Sequence, residues 1–134
     1  MASPKGPTTT LAVDGQGVAM ITLCYAPLNA LHPQLLRSLF DNLRRCHEDP
    51  AVRAVVLIGA NNNFSPGFDI QQFQKQSGGG GIDNNINEAI CSVLEGGLKP
   101  TVAAINGVAL GGGLGATAFE TSTCFLCCSC CCWL

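Results

Sequence analysis

The 134-residue sequence has few charged residues, and what it lacks excludes several functional classes. Only 12% of the residues are charged and the net charge is -2, so the chain has no basic stripe that could bind nucleic acid. It has no run of about 18 apolar residues, so no membrane-spanning helix is predicted. Neither histidine, His32 or His47, has a partner at metal-ligand spacing, so we predict no metal site. The hydrophobic content of 47% predicts a packed domain.

Cysteine is sparse over most of the chain and dense at its end. Cys24, Cys46 and Cys91 are single and widely spaced, which is typical of small buried side chains in a reducing compartment. The other six cysteines lie between Cys124 and Cys132. Their C-x-x-C spacings lack a second pair about 12 to 20 residues away, which argues against a zinc site. We therefore separate a Cys-rich tail, residues 115–134, from a folded region, residues 1–114.

Hydrophobic periodicity predicts a mixed α/β fold. Apolar runs predict strands at residues 8–14, 18–23, 54–58 and 101–105, and helical spacing of apolar residues predicts helices at 33–49 and 84–98. The run at 54–58 has no alternation, which is typical of a strand covered on both faces of a parallel sheet. A long connection with a helix joins this strand to the one at 101–105, so the two are predicted to be parallel.

Two glycine-bearing loops follow these parallel strands. The first, residues 59–67, reads GANNNFSPG, and the second, residues 106–115, reads NGVALGGGLG. Both leave the carboxyl edge of the sheet, where ligands bind in such folds. Glycine lets the backbone turn sharply and lets a ligand approach the main chain. We predict that the amides of Phe68 and Gly112 form a pair of N–H donors, an oxyanion hole for negative charge developing on a carbonyl oxygen.

Other interpretations of these residues stay open. Residues 111–116 also fit G-x-G-x-x-A, but dinucleotide binding needs an acidic residue about 20 positions later, and the chain has none there. A glycine-rich turn that only allows close packing is the structural alternative. Asp69 is predicted to cap the short helix that follows it. His47 lies near a predicted helix C-terminus, where a partly charged imidazole is favourable.

The two loop motifs together resemble the crotonase (enoyl-CoA hydratase/isomerase) family. The matching segments are residues 63–70, NFSPGFDI, and residues 105–114, INGVALGGGL. Asn29-Ala30-Leu31 and the strand at 54–58 also lie where the family has them. The resemblance implies an α/β fold, the N-terminal half of a crotonase-like ββα spiral domain over residues 1–114, with the Cys-rich tail outside the family.

In that family two backbone amides hold the thioester carbonyl of an acyl-CoA, and the resemblance assigns this role to Phe68 and Gly112. The segments around these loops would line the path of the CoA. The residues implied are Ala26, Leu28, Ala30, Ser65, Pro66, Gly67, Asp69, Ile70 and Gly111. The family reaction is hydration or isomerisation of an enoyl-CoA in fatty-acid β-oxidation, with no cofactor except the coenzyme A of the substrate.

The sequence departs from the family at Gly115, where hydratases have their first catalytic glutamate. Glycine has no side chain that could move a proton, and the second glutamate would lie beyond Leu134. We therefore expect a truncated acyl-CoA-binding chain without hydratase activity, whose tail comes from a shifted reading frame, a retained intron or a mis-predicted gene model. The alternative is a non-enzymatic subunit, or a splice product that does not fold, associated with full-length relatives. The resemblance implies a peroxisomal location, and the lack of a C-terminal Ser-Lys-Leu leaves the cytosol open.

Overall fold

The computed structural model describes residues 4–69, 71–72, 84–111 and 123–127, with Asn84 and residues 123–127 described by their backbone. A five-stranded sheet has the order β1-β2-β3-β4-β5. Its strands are β1 (Thr8–Val13), β2 (Val18–Cys24), β3 (Ala54–Gly59), β4 (Thr101–Ile105) and β5 (Thr123–Cys127). Helix α1 (Pro33–Glu48) connects β2 to β3, and helix α2 (Asn84–Gly96) lies between β3 and β4. The predicted mixed α/β class is confirmed.

An antiparallel hairpin starts the sheet because the residues between β1 and β2 favour a tight turn. One carboxylate oxygen of Asp14 accepts hydrogen bonds from the amides of Gln16 and Val18, both at 2.8 Å. Gly17 has a φ of 83°, a conformation that residues with a side chain rarely adopt. The turn pairs Val13 with Ala19, and the predicted hairpin is confirmed.

The remaining strand pairs are parallel. β3 pairs with β2 on one side and with β4 on the other, which confirms the predicted parallel pair. β5 pairs with β4 from Thr101 opposite Thr123 to Ile105 opposite Cys127. This strand lies inside the segment that we separated as a tail, where no strand was predicted. Its apolar run, TCFLC, contains no valine or isoleucine, the residues by which a buried strand is usually recognised.

One face of the sheet packs against both helices and forms the core. The register aligns Leu11, Ile21, Leu57 and Ala103 across the first four strands, and the last three of these are buried. The helices contribute apolar side chains at helical spacing to the same core: Leu35, Leu36, Leu39, Leu43, Cys46, Ile90 and Leu94. Because both helices cover this one face, the chain builds its core on one side of the sheet.

The second face of the sheet has no charged side chain on β1 to β4. One row across these strands consists of Ala12, Met20, Val56 and Val102, and Met20 is 45% exposed. The sequence predicted that β3 is covered on both faces, which is wrong for the described residues. The residues of β3 alternate between buried and half-buried, because α1 and α2 lie on one face only. No helix within the described ranges is long and apolar enough to cross a membrane.

A lysine from the loop before β4 caps the C-terminal end of α1. The ammonium group of Lys99 donates to the carbonyl oxygens of Cys46, at 2.6 Å, and of Asp49. His47 lies beside it, with its ring against Gly97. The Nε2 atom of His47 is buried and has no hydrogen-bond partner among the residues that the structure describes. Burial, and secondarily the charge of Lys99, lowers the pKa of His47 below its usual 6.5.

This environment corrects the prediction that a partly charged His47 stabilises the helix end. Lys99 already supplies the positive charge at the carbonyl groups, and a proton on His47 would be buried beside it. The same helix position that favours an exposed histidine cation therefore disfavours a buried one. Cys46 is buried in the same region, as predicted, and its burial raises the pKa of the thiol.

The lowered pKa of His47 predicts an acid-side loss of stability. Between the folded-state pKa and about 6.5 the unfolded chain binds more protons than the folded chain, so the free energy of unfolding falls as the pH falls through this window. Urea unfolding at several pH values between about 5 and 8 measures this fall. In His47→Phe the fall should be reduced. An unchanged pH dependence in that variant would assign the effect to other groups.

Candidate functional site

Three loops meet at the carboxyl edge of the parallel strands. They are the β2 loop, residues 25–32, the β3 loop, residues 60–69, and the β4 loop, residues 106–111. Each follows a strand that points to the same edge, because β2, β3 and β4 are mutually parallel. The sequence predicted that the second and third of these loops share one edge, and the register confirms it.

The β2 and β3 loops are joined through the backbone of Leu31. Its amide donates to the carbonyl oxygen of Gly67 at 2.8 Å, and its carbonyl oxygen accepts from the amide of Asp69 at 3.4 Å. In this parallel bridge Leu31 bonds to the residues on either side of Phe68, so the amide of Phe68 is directed away from Leu31. Gly67 has a φ of 102°, which requires glycine and sets this direction.

The β3 and β4 loops are joined through the backbone of Ser65. The amide of Ser65 donates to the carbonyl oxygen of Val108 at 2.9 Å, and its own carbonyl oxygen accepts from the amide of Leu110 at 3.0 Å. The ideal Cβ position of Gly111 lies 3.9 Å from the carbonyl oxygen of Pro66, so the two main chains are adjacent at the predicted site. One bridge at Ser65 therefore holds the β3 and β4 loops together.

A second link between β3 and β4 lies where these loops begin. The side-chain amide of Asn106 bonds to Gly59 as the backbone of a neighbouring strand would. Its Oδ1 accepts from the amide of Gly59 at 3.3 Å, and its Nδ2 donates to the carbonyl oxygen of Gly59 at 2.9 Å. Gly107 follows with a φ of 67°, and a Cβ on it would overlap the carbonyl oxygen of Asn62. The start of the β4 loop is therefore held by the Asn106 side chain at the end of β3 and by the Gly107 main chain against the β3 loop.

The structure brings most of the predicted site residues together. Ser65 and Gly67 are buried, and Pro66, Phe68 and Asp69 are half-buried at the bridges. On the β2 loop Ala30 is half-buried, and Ala26 and Leu28 are exposed, Leu28 at 42%. Gly111 is exposed on the β4 loop with a φ of 50°. Ile70, Gly112 and Gly115 lie outside the described residues.

Asp69 has the structural role that its sequence context predicted. One of its carboxylate oxygens accepts from the amide of Gln71 at 3.1 Å, and its carbonyl oxygen accepts from the amide of Gln72 at 3.1 Å. A side chain that caps its own following turn is held in place. The capping bond therefore fixes the exit of the chain from the β3 loop, immediately after Phe68.

The asparagines that hold the loops were not recognised as functional from the sequence. Asn29 is fully buried with a φ of 63°, and its side chain bonds across to the β3 loop. Asn106 bonds to both polar groups of Gly59. The available signal was that asparagine tolerates left-handed backbone and imitates a backbone group with its amide. Without the contacts, that signal does not distinguish an asparagine that only occurs in a turn from one whose side chain holds two loops together.

The chemistry open to this edge is that of backbone amides. Within the described loops Asp69 is the one carboxylate, and its side chain is engaged as a cap. Main-chain N–H groups turned out of glycine-containing bends can bind an oxygen on which negative charge develops. The edge therefore suits binding of a carbonyl group better than proton transfer by a side chain.

Comparison with known proteins agrees with this geometry. The enoyl-CoA hydratase/isomerase family model matches residues 14–119. A peroxisomal fatty acid beta-oxidation multifunctional protein from Oryza sativa subsp. japonica is 40% identical over 109 residues, which is 78% of this chain and 15% of that protein. A protein named probable enoyl-CoA hydratase from Bacillus subtilis (strain 168) is 38% identical over 109 residues, 41% of its length.

A solved structure from Pseudomonas aeruginosa has the same fold. It aligns with a TM-score of 0.76 at 31% identity, covering 91% of this chain and 56% of that one. The chain thus spans only part of each of these relatives. The family match includes β1's turn, both helices, β2 to β4 and the three loops that meet at the sheet edge. The chain therefore belongs to the enoyl-CoA hydratase/isomerase family.

Proposed function

We propose that the chain binds the thioester of an acyl-CoA at the joined β3 and β4 loops. The carbonyl oxygen would accept hydrogen bonds from the amides of Phe68 and Gly112. The observation that supports this most strongly is the bridge at Ser65, which holds the two loops in one register. A pair of backbone donors is effective only when its spacing is set before the ligand arrives, and a bridge that joins the two loops favours such a fixed spacing.

The rest of the ligand would lie along the β2 loop. Exposed Ala26 and Leu28 and half-buried Ala30 offer small or apolar surface for the pantetheine chain and the adenine. Ser65, Pro66, Gly67, Asp69, Ile70 and Gly111 would complete the lining. We propose no cofactor beyond the coenzyme A of the ligand.

Hydration of an enoyl-CoA is not part of the proposal. At the position where family hydratases have their first catalytic glutamate this chain has Gly115. A glycine can neither activate a water molecule nor protonate a carbon atom, and general acid–base catalysis typically contributes about 10²–10⁴ in rate. We propose a binding function in fatty-acid β-oxidation, in the peroxisome, where the plant relatives are named as acting.

Calorimetric titration of the reduced chain with butyryl-CoA tests the binding. We expect saturable binding that is stronger than that of free CoA, because free CoA lacks the thioester carbonyl. Phe68→Pro should weaken butyryl-CoA binding by about 10²-fold if the loss of this donor affects the bound oxygen as in catalytic sites. Phe68→Ala, which removes the ring and keeps the amide, is the matched control for lost packing.

Two results would contradict the proposal. Equal affinity for butyryl-CoA and free CoA in a folded sample would show that the thioester carbonyl does not contribute to binding. Hydration of crotonyl-CoA above the blank, followed by the loss of absorbance of its conjugated double bond, would overturn the proposed inactivity. Circular dichroism of each variant shows whether it is folded before its affinity is compared.

The uncharged face of the sheet favours a second candidate function, association with full-length relatives. The row through Met20 and Val56, and a neighbouring row through Thr22 and Ile58, present no charge. Such a face is typical of contact surfaces. Co-purification of the tagged chain with a full-length relative tests this candidate. Met20→Lys should abolish that association while leaving acyl-CoA binding intact.

A further inference from the structure

Asn29 is a fully buried polar residue of the β2 loop that directly follows the exposed residues 26–28. Its backbone has a φ of 63°, and its amide donates to the carbonyl oxygen of Tyr25 at 2.7 Å. Its side-chain Oδ1 accepts from the amide of Tyr25 at 2.9 Å. A buried side-chain amide needs partners for its oxygen and for both hydrogens of its nitrogen, so the remaining partners show what the residue holds.

Those partners both lie on the β3 loop. The Nδ2 atom of Asn29 donates to the carbonyl oxygen of Ala60 at 2.8 Å and to that of Asn63 at 2.6 Å. These two carbonyls belong to the first residues after β3, the opposite end of the loop from Gly67. The β2 loop therefore holds the β3 loop at two points, through Asn29 at its start and through Leu31 at its end.

The same part of the β3 loop is held from its other side. The Asn106 side chain bonds to Gly59, and Gly107 packs against the carbonyl oxygen of Asn62. The turn at 60–63 is thus enclosed between an asparagine of the β2 loop and an Asn-Gly pair of the β4 loop. A displacement of the β2 loop would act on the β3 loop through the Asn29 side chain.

We propose that Asn29 is a positioning residue that couples the CoA-contacting β2 loop to the carbonyl-binding β3 loop. The two loops then move as one unit, so the Phe68 amide keeps the direction set by Gly67 when the ligand contacts the β2 loop. Asn29 itself touches no reacting atom. This inference rests on the proposed acyl-CoA binding for its functional meaning, whereas the coupling itself is a property of the unliganded chain.

Asn29→Gly tests the coupling, because glycine accepts the positive φ and removes the three side-chain hydrogen bonds. We expect butyryl-CoA affinity to fall about tenfold or more. The carbonyl stretch of a ¹³C-labelled bound thioester should also return towards its value in water, as measured by infrared difference spectroscopy. A purely structural role would lower the melting temperature without changing this stretch in the protein that remains bound.

Asn61→Gly is the matched control. Asn61 also has a positive φ, 56°, lies on the β3 loop that Asn29 contacts and is exposed. Its affinity and carbonyl stretch should equal those of the parent chain. Asn29→Asp provides a second comparison: it keeps the acceptor for Tyr25 and loses both donors to the β3 loop, so it should resemble Asn29→Gly. If Asn29→Gly binds like Asn61→Gly, the proposal is overturned.

Amide hydrogen exchange without ligand separates this inference from the proposed function. The amides of Leu31 and Ser65, which form the two bridges, should lose about tenfold of their protection in Asn29→Gly and none in Asn61→Gly. This holds even if the parent chain binds no acyl-CoA. If Asn29→Gly does not fold, exchange in the parent chain at increasing denaturant decides: one shared opening of Leu31 and Ser65 supports the coupling, and separate openings overturn it.

Discussion

Gly59→Ala should lower the free energy of unfolding by about 3 kcal/mol or more. Gly59 is the buried last residue of β3. A Cβ on it would overlap the carbonyl oxygen of Asn63 and lie 2.5 Å from the Cα of Phe64. Both are main-chain atoms, so the clash cannot be relieved by turning a side chain. Relief requires Asn63 to leave its bond with Asn29, or Gly59 to leave its bonds with Asn106. Urea unfolding followed by circular dichroism measures the loss.

Gly96→Ala is the control for this substitution. A Cβ at Gly96 meets nothing within 4 Å, and the residue ends helix α2. Alanine favours helix over glycine by up to about 1 kcal/mol, so stability should stay equal or rise slightly.

We also expect Gly59→Ala to abolish butyryl-CoA binding in any protein that remains folded. Equal stability of the two variants would show that the β3 loop does not pass this close to the end of β3.

Leu94→Ala should cost about 2–5 kcal/mol, because it removes a large side chain from the core. Leu94 is 2% exposed and belongs to the same core cluster as Leu35 and Leu43 of α1. Helix α2 packs on the sheet through few apolar residues, so a cavity there loosens the helix that precedes β4. A domain of this size is typically stable by only about 5–15 kcal/mol. The expected loss is therefore a large share of the total.

Leu98→Ala is the matched control, four residues further along. Leu98 is 100% exposed, so its truncation should change the free energy of unfolding by less than about 0.5 kcal/mol. Thermal and urea unfolding of both variants give the comparison. Similar losses in the two variants would mean that α2 does not dock through the face that contains Leu94.

The parts of the fold that could be predicted are those that depend on local periodicity. The apolar spacing from Leu35 to Cys46 places one stripe of α1 on the core, and the predicted ends of both helices lie within two residues of the observed ones. The uneven burial of β3 could not be predicted in this way. A strand rich in β-branched residues has the same local pattern whether its second face is buried or half-exposed, since the difference depends on where the helices pack.

The candidate site also has a part that could be predicted from local sequence and a part that could not. Gly67 and Gly107 need positive φ values, and their place in the motifs made both loops recognisable from the sequence. The bridges at Leu31 and Ser65 join segments more than 30 residues apart in the chain. Such contacts arise from the register of the whole sheet, and no residue type marks them. For the same reason Asn29 could be taken for an ordinary loop asparagine until its partners were known.

Asn106-Gly107 is also a sequence at which the chain can deamidate slowly. In a flexible peptide the amide nitrogen of a glycine attacks the side-chain carbonyl of a preceding asparagine and expels ammonia. Water then opens the ring, leaving an acid, which is why asparagine is thermolabile. Here both ends of the Asn106 side chain are held by Gly59, so this attack requires the link between β3 and β4 to open first. The acid could no longer donate to Gly59, so ageing at this one residue would release the base of the β4 loop irreversibly.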